Sequence, residues 1–257
     1  MAQEDREALR HAKSLLENPS LAAKITSIIG IPIEKGVALL PVKWSEVVNS
    51  ATRTALEQAL NVALLTVDDT GKRASSNTIH RIAVAAAGAA GGLFGLPALA
   101  VELPVSTMVM LRSIADIARS EGEQLKVPEA KLACLEVFAF GGPSTGDNAT
   151  KTGYFAIRAS LAQAVSEAAQ HIARKGVAHE GAPAIVRFIT QLASRFGVAV
   201  SEKLAAQAVP MIGAVGGALI NSLFIDHFQD MARGHFIIRR LERTYDPELL
   251  EQAYDKV

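Results

Sequence analysis

The stretches Gly88-Ala89-Ala90-Gly91-Gly92 and Gly213-Ala214-Val215-Gly216-Gly217 repeat one five-residue pattern, each time inside a long apolar window. The first window covers residues 82–111 and contains one charged residue, Glu102. The second covers residues 204–225 and contains none. Both windows are long enough to cross a bilayer. The fold therefore depends on whether they enter lipid or form the core of a helical bundle.

Prolines and isolated polar residues argue against a simple membrane span in both windows. Pro97, Pro104 and Glu102 interrupt the first window, while Pro210 and Asn221 lie near the two ends of the second. Proline disrupts helical hydrogen bonding, and a buried carboxylate needs a partner or a proton. Packing in a soluble core is one interpretation. A hairpin that enters one leaflet is the other, because a hairpin tolerates a central break.

The spacing of the glycines predicts close helix packing in either environment. A GxxxG pair clears one helix face of side chains, so that a second backbone can approach closely. The residues with this predicted packing role are Gly88, Gly92, Gly95, Gly213 and Gly217. Two copies of the chain could also pack together through the same glycine faces, so a homo-oligomer is a further alternative.

Composition restricts the class of protein. The chain has 257 residues, of which 49% are hydrophobic and only 5% aromatic, so little material exists for aromatic belts at two membrane interfaces. Lys plus Arg and Asp plus Glu both number 26, and a net charge of zero argues against nucleic-acid binding. The single cysteine, Cys134, excludes an internal disulfide and fits a reducing cytosol. The charged N-terminus lacks the apolar region of a secretory signal.

Apolar periodicity predicts helices and no strands, because strict apolar–polar alternation never persists beyond a few residues. Asn18-Pro19 is predicted to cap the second helix, and Pro104 to kink the fifth or start a new one. The predicted helices span 4–17, 18–30, 44–67, 78–93, 98–120, 128–140, 149–174, 184–208 and 210–243, with a short one after Asp246-Pro247. We therefore predict an all-α, multi-helix bundle with two glycine-rich apolar helices at its centre. Residues 1–43 are predicted to form an N-terminal helical extension to a single domain at 44–257.

A set of polar residues in or beside the apolar windows is the best candidate for a site. The residues are Glu102, Arg112, Asp116, Asn221, Asp226, His235 and Arg239. One interpretation is a buried network of hydrogen bonds and ion pairs that locks the two glycine helices together. The alternative is that these residues line a pocket of an enzyme or a ligand-binding protein.

Motifs of catalysis, metal binding and cofactor binding are missing from the sequence. Asp226 and Asp230 share a helix face, but His227 points about 100° away from Asp226, so no metal site is predicted. No HExxH or GxSxG motif occurs. The loop at 141–147 lacks the GK[ST] ending of a phosphate loop, and no catalytic residue or cofactor is predicted.

The end of the last long helix is locally basic and amphipathic. The basic residues are Arg233, His235, Arg239, Arg240 and Arg243, interleaved with apolar ones. Such a segment suits contact with anionic lipid headgroups. Cations at a helix C-terminus that form surface ion pairs give the same pattern.

Several of these segments resemble the EcsC protein family. The similar segments are 91–97 with 102–104 (GGLFGLP and ELP), 110–115, 132–138, 210–221 and 235–242. The glycine–proline–ELP block is the most specific, and the resemblance covers roughly residues 45–255. It implies a helical, membrane-related bacterial protein that is linked by operon to an ABC transporter. It implies no reaction and no catalytic residue.

Together these features predict a non-enzymatic helical protein at the cytoplasmic face of the membrane, peripheral on its inner side. Its partners would be a membrane lipid or a membrane protein such as a transporter, and not nucleic acid. An enzyme or small-ligand-binding protein with a polar pocket between the glycine helices is the alternative. A helical scaffold that oligomerises through the glycine faces is the third.

Overall fold

A computed structural model describes residues 1–17, 20–30, 32–66, 96–142, 153–175, 182–209 and 213–257. Within these ranges the chain forms ten α-helices and no strand, which confirms the all-α prediction. The helices are α1 (Gln3–Leu16), α2 (Leu21–Ile29), α3 (Ile33–Val37), α4 (Trp44–Thr66), α5 (Leu96–Ser120), α6 (Pro128–Glu136), α7 (Gly153–Lys175), α8 (Pro183–Gln207), α9 (Gly213–Glu242) and α10 (Pro247–Lys256). A 3-10 turn at Val137–Ala139 continues α6.

Local capping chemistry sets the ends of the short helices. The Ser20 hydroxyl accepts a hydrogen bond from the Ala23 amide at 3.3 Å and caps α2, so the cap lies after the predicted Asn18-Pro19. Gly30 ends α2 with a φ of 70°, which favours glycine. Asp246 caps α10 by accepting from two backbone amides, as the Asp246-Pro247 pair predicted.

No new helix starts at Pro104, because α5 is one helix of 25 residues with Pro104 inside it, and the predicted kink there stays a prediction. The first glycine repeat, with Gly88, Gly92 and Gly95, and the predicted helix at 78–93 lie outside the described residues. Gly213 and Gly217 lie in the first turns of α9, where Gly217 is buried. The prediction of two facing glycine helices therefore stays a prediction.

Helix α9 contacts α1, α2, α5, α8 and the 3-10 turn, and so joins the N-terminal helices to the rest of the bundle. Leu9 and Ala12 of α1 are fully buried in the same core as α9. The predicted division at residue 43 stays a prediction, with the core extending across it.

Hydrogen bonds between side chains give the helix directions. Gln229 of α9 donates to Ser113 of α5 at 2.8 Å, and Arg240 pairs with Glu121 just beyond α5, so α5 and α9 run parallel. Glu167 of α7 meets Arg187 of α8, whereas Ser160 meets Arg195, so these two helices are antiparallel.

Four phenylalanines form the aromatic centre of the bundle. Phe138 follows α6, Phe196 lies on α8, and Phe224 and Phe228 lie on α9, with neighbouring ring centroids 4.9 to 6.0 Å apart. Gly141 lies against the Phe228 ring, where a Cβ would collide with it. The aromatic centre therefore fixes the chain after α6 against α8 and α9.

Close contact between α1 and α9 depends on a glycine that the sequence patterns did not single out. A Cβ at Gly234 would lie 2.6 Å from Leu16 Cγ and 3.1 Å from the Ala12 carbonyl oxygen. By contrast, a Cβ at Gly197 of α8 would meet only Asn49 Oδ1 at an ordinary 3.8 Å. Gly234 and Gly197 both lie inside helices, so the effects of replacing each by alanine can be compared directly.

Gly234→Ala is expected to destabilise the protein by about 1–3 kcal/mol, because α1 must move to admit the methyl group. Gly197→Ala is expected to be neutral or to stabilise by up to about 1 kcal/mol, because alanine favours the helix. Urea denaturation of both variants measures the difference. Equal stability of the two variants would show that α1 does not pack tightly on Gly234.

Candidate functional site

Glu102, which the sequence predicted to need a partner, forms a buried ion pair. Lys203 Nζ of α8 donates to Glu102 Oε1 of α5 at 2.6 Å, with 1% and 5% of the respective side chains exposed. The ammonium also lies 5.0 Å from the centre of the Phe224 ring on α9. This ion pair ties three helices together, and Glu102 points at Lys203 rather than at a cleft.

Arg112 and Asp116 lie on the exposed face of α5. Asp116 accepts from Arg119 at 2.5 Å, three residues along the same helix. Surface pairs of this kind contribute little to stability.

The remaining four predicted residues lie along α9. Asn221 and His235 are buried, while Asp226 is half-buried. Arg239 donates two hydrogen bonds to Glu123, at 2.9 and 3.2 Å. Of the seven predicted residues, only Arg239 lines the cleft described below.

Ion pairs instead connect α9 to its neighbours along its length. Lys24 of α2 pairs with Asp230, and Arg158 of α7 holds Glu242 in two hydrogen bonds at 2.6 and 3.0 Å. At the basic end, the pairs are Arg233–Asp230, Arg239–Glu123, Arg240–Glu121 and Arg243–Glu123. These arginines act in interhelical and local pairs, so carboxylates already neutralise the basic end.

A cleft of about 730 Å³ lies between α6, α7 and the C-terminal end of α9, with α10 at its edge. Its apolar wall includes Phe155 and the small side chains of α7. Its charged wall consists of Glu129, Glu136, Arg158, Arg239, Glu242 and Glu251. The volume falls in the range of small-molecule sites.

Glu136 is the unusual member of this wall. The residue is only 6% exposed, and its carboxylate makes no hydrogen bond or ion pair with any residue that the structure describes. The two arginines beside it are held by other carboxylates, Arg158 by Glu242 and Arg239 by Glu123. A buried carboxylate without a partner is costly, so its presence at a cleft marks a candidate binding site.

Burial raises the pKa of Glu136 from its usual 4.5 to about 7, although Arg158 and Arg239 favour the charged form. Because the folded pKa lies above the unfolded one, the folded state takes up a proton between about pH 4.5 and about pH 7. The stabilising effect of that proton is complete at lower pH and is lost as pH rises through 7. Glu136 can therefore exchange a proton near neutral pH.

A buried aromatic network supports the cleft from behind. The Tyr154 hydroxyl and His235 Nδ1 lie 2.9 Å apart, and both rings pack against Phe140. Burial, with Arg158 and Arg239 nearby, lowers the pKa of His235 well below its usual value, so the imidazole is neutral at pH 7. His235 thus positions Tyr154 rather than carrying charge into the cleft.

Burial limits the chemistry of Cys134 and His227. Burial raises the pKa of the Cys134 thiol to about 12, so the reactive thiolate is scarce. His227 interacts with the Gly141 carbonyl oxygen through Nε2 at 3.1 Å, and burial lowers its pKa to about 4. No group of three metal-ligating side chains assembles among the described residues.

Glu136 was not among the predicted site residues, although its sequence context marks it as an isolated carboxylate. Like Glu102, Glu136 is the only charge in an apolar run, here residues 132–140. The same sequence context surrounds both carboxylates, but only Glu102 was predicted to be buried and to need a partner. Only the packing of the helices gives Lys203 to Glu102 and no partner to Glu136.

Six exposed apolar side chains lie on the segments around the buried ion pair, which is remote from the cleft. Lys203 reaches both Glu102 and Phe224, so the C-terminal end of α8 lies beside the first halves of α5 and α9. Helix α3 packs there too, with Gly36 against Ala205. The exposed residues of these segments, here named the apolar end, are Val37, Leu39, Val42, Val101, Val105 and Leu219.

The protein therefore belongs to the class of all-α helical bundles. Its distinguishing features are a buried ion pair, a charged cleft and an apolar end. The EcsC protein family matches residues 3–241, and the chain belongs to that family. No curated protein and no solved structure matches the chain significantly. Among the described residues, no helix has both the length and the apolar character needed to cross a bilayer.

Glu102→Gln is expected to destabilise the protein by about 3–5 kcal/mol, because it leaves the Lys203 ammonium buried without its counter-charge. The double variant Glu102→Leu with Lys203→Met removes both charges and should regain most of that loss. Denaturant unfolding of the two variants gives the free energies.

The matched control is Glu57→Gln, which breaks the exposed Arg53–Glu57 pair on α4. Its expected cost is no more than about 0.5 kcal/mol. If Glu102→Gln cost as little as this control, the buried ion pair would not hold α5 to α8.

Proposed function

We propose that the protein is a non-catalytic helical module that binds the cytoplasmic membrane surface through its apolar end. The main support for this proposal is the exposure of apolar side chains in the loop between α3 and α4. There Val42 is 98% exposed and Leu39 is 55% exposed. Exposed apolar side chains clustered at one end of a molecule are typical of an interaction surface.

The neighbours of these side chains favour a lipid bilayer as the occupant. Lys35 and Lys43, both exposed, flank the apolar residues of the loop, and half-buried Trp44 follows. Each lysine near an anionic surface contributes about 1 kcal/mol, and tryptophan prefers the headgroup region. The loop thus combines an apolar tip, cationic flanks and an interfacial ring.

Other side chains of the apolar end would extend this contact. Val101 and Val105 lie one turn apart on the outer face of α5, with Val101 71% exposed. Leu219 belongs to the second glycine window, which the sequence identified as apolar enough for lipid. Burial of a few such side chains at about 1.5–3 kcal/mol each supports reversible binding to a surface without a membrane span.

The basic end of α9 is the weaker candidate for the membrane contact. Its arginines are paired with Glu121, Glu123 and Asp230, so little positive charge is left there to attract headgroups. The proposal therefore assigns the lipid contact to the apolar end.

Replacing Leu39 and Val42 together by aspartate is expected to weaken vesicle binding at least about tenfold, because it removes apolar contact and adds repulsion. The measurement is cosedimentation with vesicles of phosphatidylcholine and anionic phosphatidylglycerol.

The control carries Val127→Asp and Leu249→Asp, which change an exposed valine and an exposed leucine away from the apolar end. This control should bind vesicles like the wild type. Absence of wild-type binding to anionic vesicles, or equal loss in both double variants, would refute the proposal.

A further inference from the structure

We propose that the cleft between α6, α7 and α9 binds a small organic cation, an alkylammonium with an apolar body, whose charged group pairs with Glu136. This site is independent of the membrane contact, because no residue of the apolar end lines the cleft. The ligand class follows from the partners of each charged group in the cleft wall.

The two arginines of the cleft are already committed. Arg158 makes a two-pronged pair with Glu242, and Arg239 makes another with Glu123. An anionic ligand would have to displace a carboxylate from one of these pairs, and would also lie beside Glu136. The cleft is therefore poorly suited to an anion.

Three carboxylates of the cleft form no ion pair with a residue that the structure describes, although Arg158 and Arg239 lie near Glu136. Glu136 is buried in the wall without a partner among the described residues, while Glu129 and Glu251 stand exposed at the rim. An ammonium group that donates to Glu136 would supply the missing hydrogen bonds. A charge-assisted hydrogen bond of this kind contributes more than one between neutral groups.

The opposite wall of the cleft suits an apolar body. Ala156, Ala159 and Ala162 recur every third residue on α7 and leave a shallow surface, with Phe155 beside them. A ring or alkyl chain can lie on this surface while its ammonium reaches α6. The volume of about 730 Å³ accommodates such a molecule.

Protonation of Glu136 makes the site sensitive to pH. Around Glu136 stand Arg158 of α7, Arg239 and Glu242 of α9, Glu251 of α10 and Glu129 of its own helix. Burial raises the pKa of Glu136 to about 7, so the carboxyl must lose its proton to pair with a cation. Affinity for an alkylammonium should rise between about pH 6 and about pH 8, with release of a proton.

The test is calorimetric titration of the full-length protein with 4-phenylbutylamine. The neutral analogue 4-phenylbutanol and the anionic analogue 4-phenylbutyrate share its apolar body and differ only in the polar group. We expect saturable binding of the amine alone, stronger at the higher pH. Glu136→Gln should weaken it at least about tenfold, because a neutral amide replaces the carboxylate.

Two further variants separate the role of Glu136 from general effects. Glu251→Gln, at the exposed rim, should change the affinity for the amine less than about threefold. Ala159→Trp places a ring on the apolar wall and should abolish binding while leaving the helix intact. Thermal melts verify folding, and Glu136→Gln should melt no lower than the wild type, because it removes an unpaired buried charge.

Several results would overturn the proposal. These are no saturable amine binding below about 10 mM, equal binding of the neutral analogue, preferential binding of the anion, or full amine affinity in a folded Glu136→Gln protein. Each outcome is distinct from failure of vesicle binding, because no membrane is present.

Discussion

A polar helix can run through the core of a bundle only if its charges find partners there, and α9 imposes this requirement on the whole protein. Its charged side chains reach α2, α7 and the loop after α5. The pair in which a buried carboxylate takes part, Arg239–Glu123, is the costliest of these to break, because breaking it would leave a charge in a poorly solvated place. The other half of α9 is held by aromatic contacts. The ammonium of the buried Lys203–Glu102 pair lies over the Phe224 ring, and Phe224 packs against Phe228 in the aromatic cluster.

The ion pairs of α9 also leave Glu136 of the cleft without an ion pair of its own. Glu242 and Glu123 form the ion pairs with the two arginines nearest Glu136, so these arginines act on Glu136 only through their charge. The protein thus retains a buried carboxylate beside an open surface, although that charge costs stability above neutral pH. A residue kept under such a cost is more typical of a binding site than of a structural core. The apolar end, by contrast, exposes aliphatic side chains, and the ion pair beneath it, Lys203–Glu102, is buried.

Sequence patterns predicted the helices well because their ends are marked by local chemistry. Pro128, Pro183 and Pro247 each stand in the first turn of a helix, where a missing amide hydrogen costs nothing. Pro104 is the exception among these prolines, because it does not mark a helix end and lies inside α5. The need of Glu102 for a partner was also predictable, because a lone carboxylate in an apolar run cannot stay unpaired at low cost.

The partners themselves could not be predicted. Lys203 is 101 residues from Glu102 in sequence, and no local pattern connects them. The cleft against the alanines of α7 and the far end of α9 was not predicted either, while the predicted pocket between the glycine helices involves residues outside the described ranges and stays a prediction. Only three-dimensional packing decides which of two similar carboxylates, Glu102 or Glu136, is neutralised.

Glu136 is a buried carboxyl group that forms no ion pair with a described residue and opens onto a cleft. Its titration can be followed directly through the side-chain carboxyl carbon by NMR, with Glu136→Gln used to assign the signal. A midpoint near 7, well above the usual 4.5, is the predicted result. A midpoint at or below 4.5 would show that the group is solvated or paired, and would contradict the account.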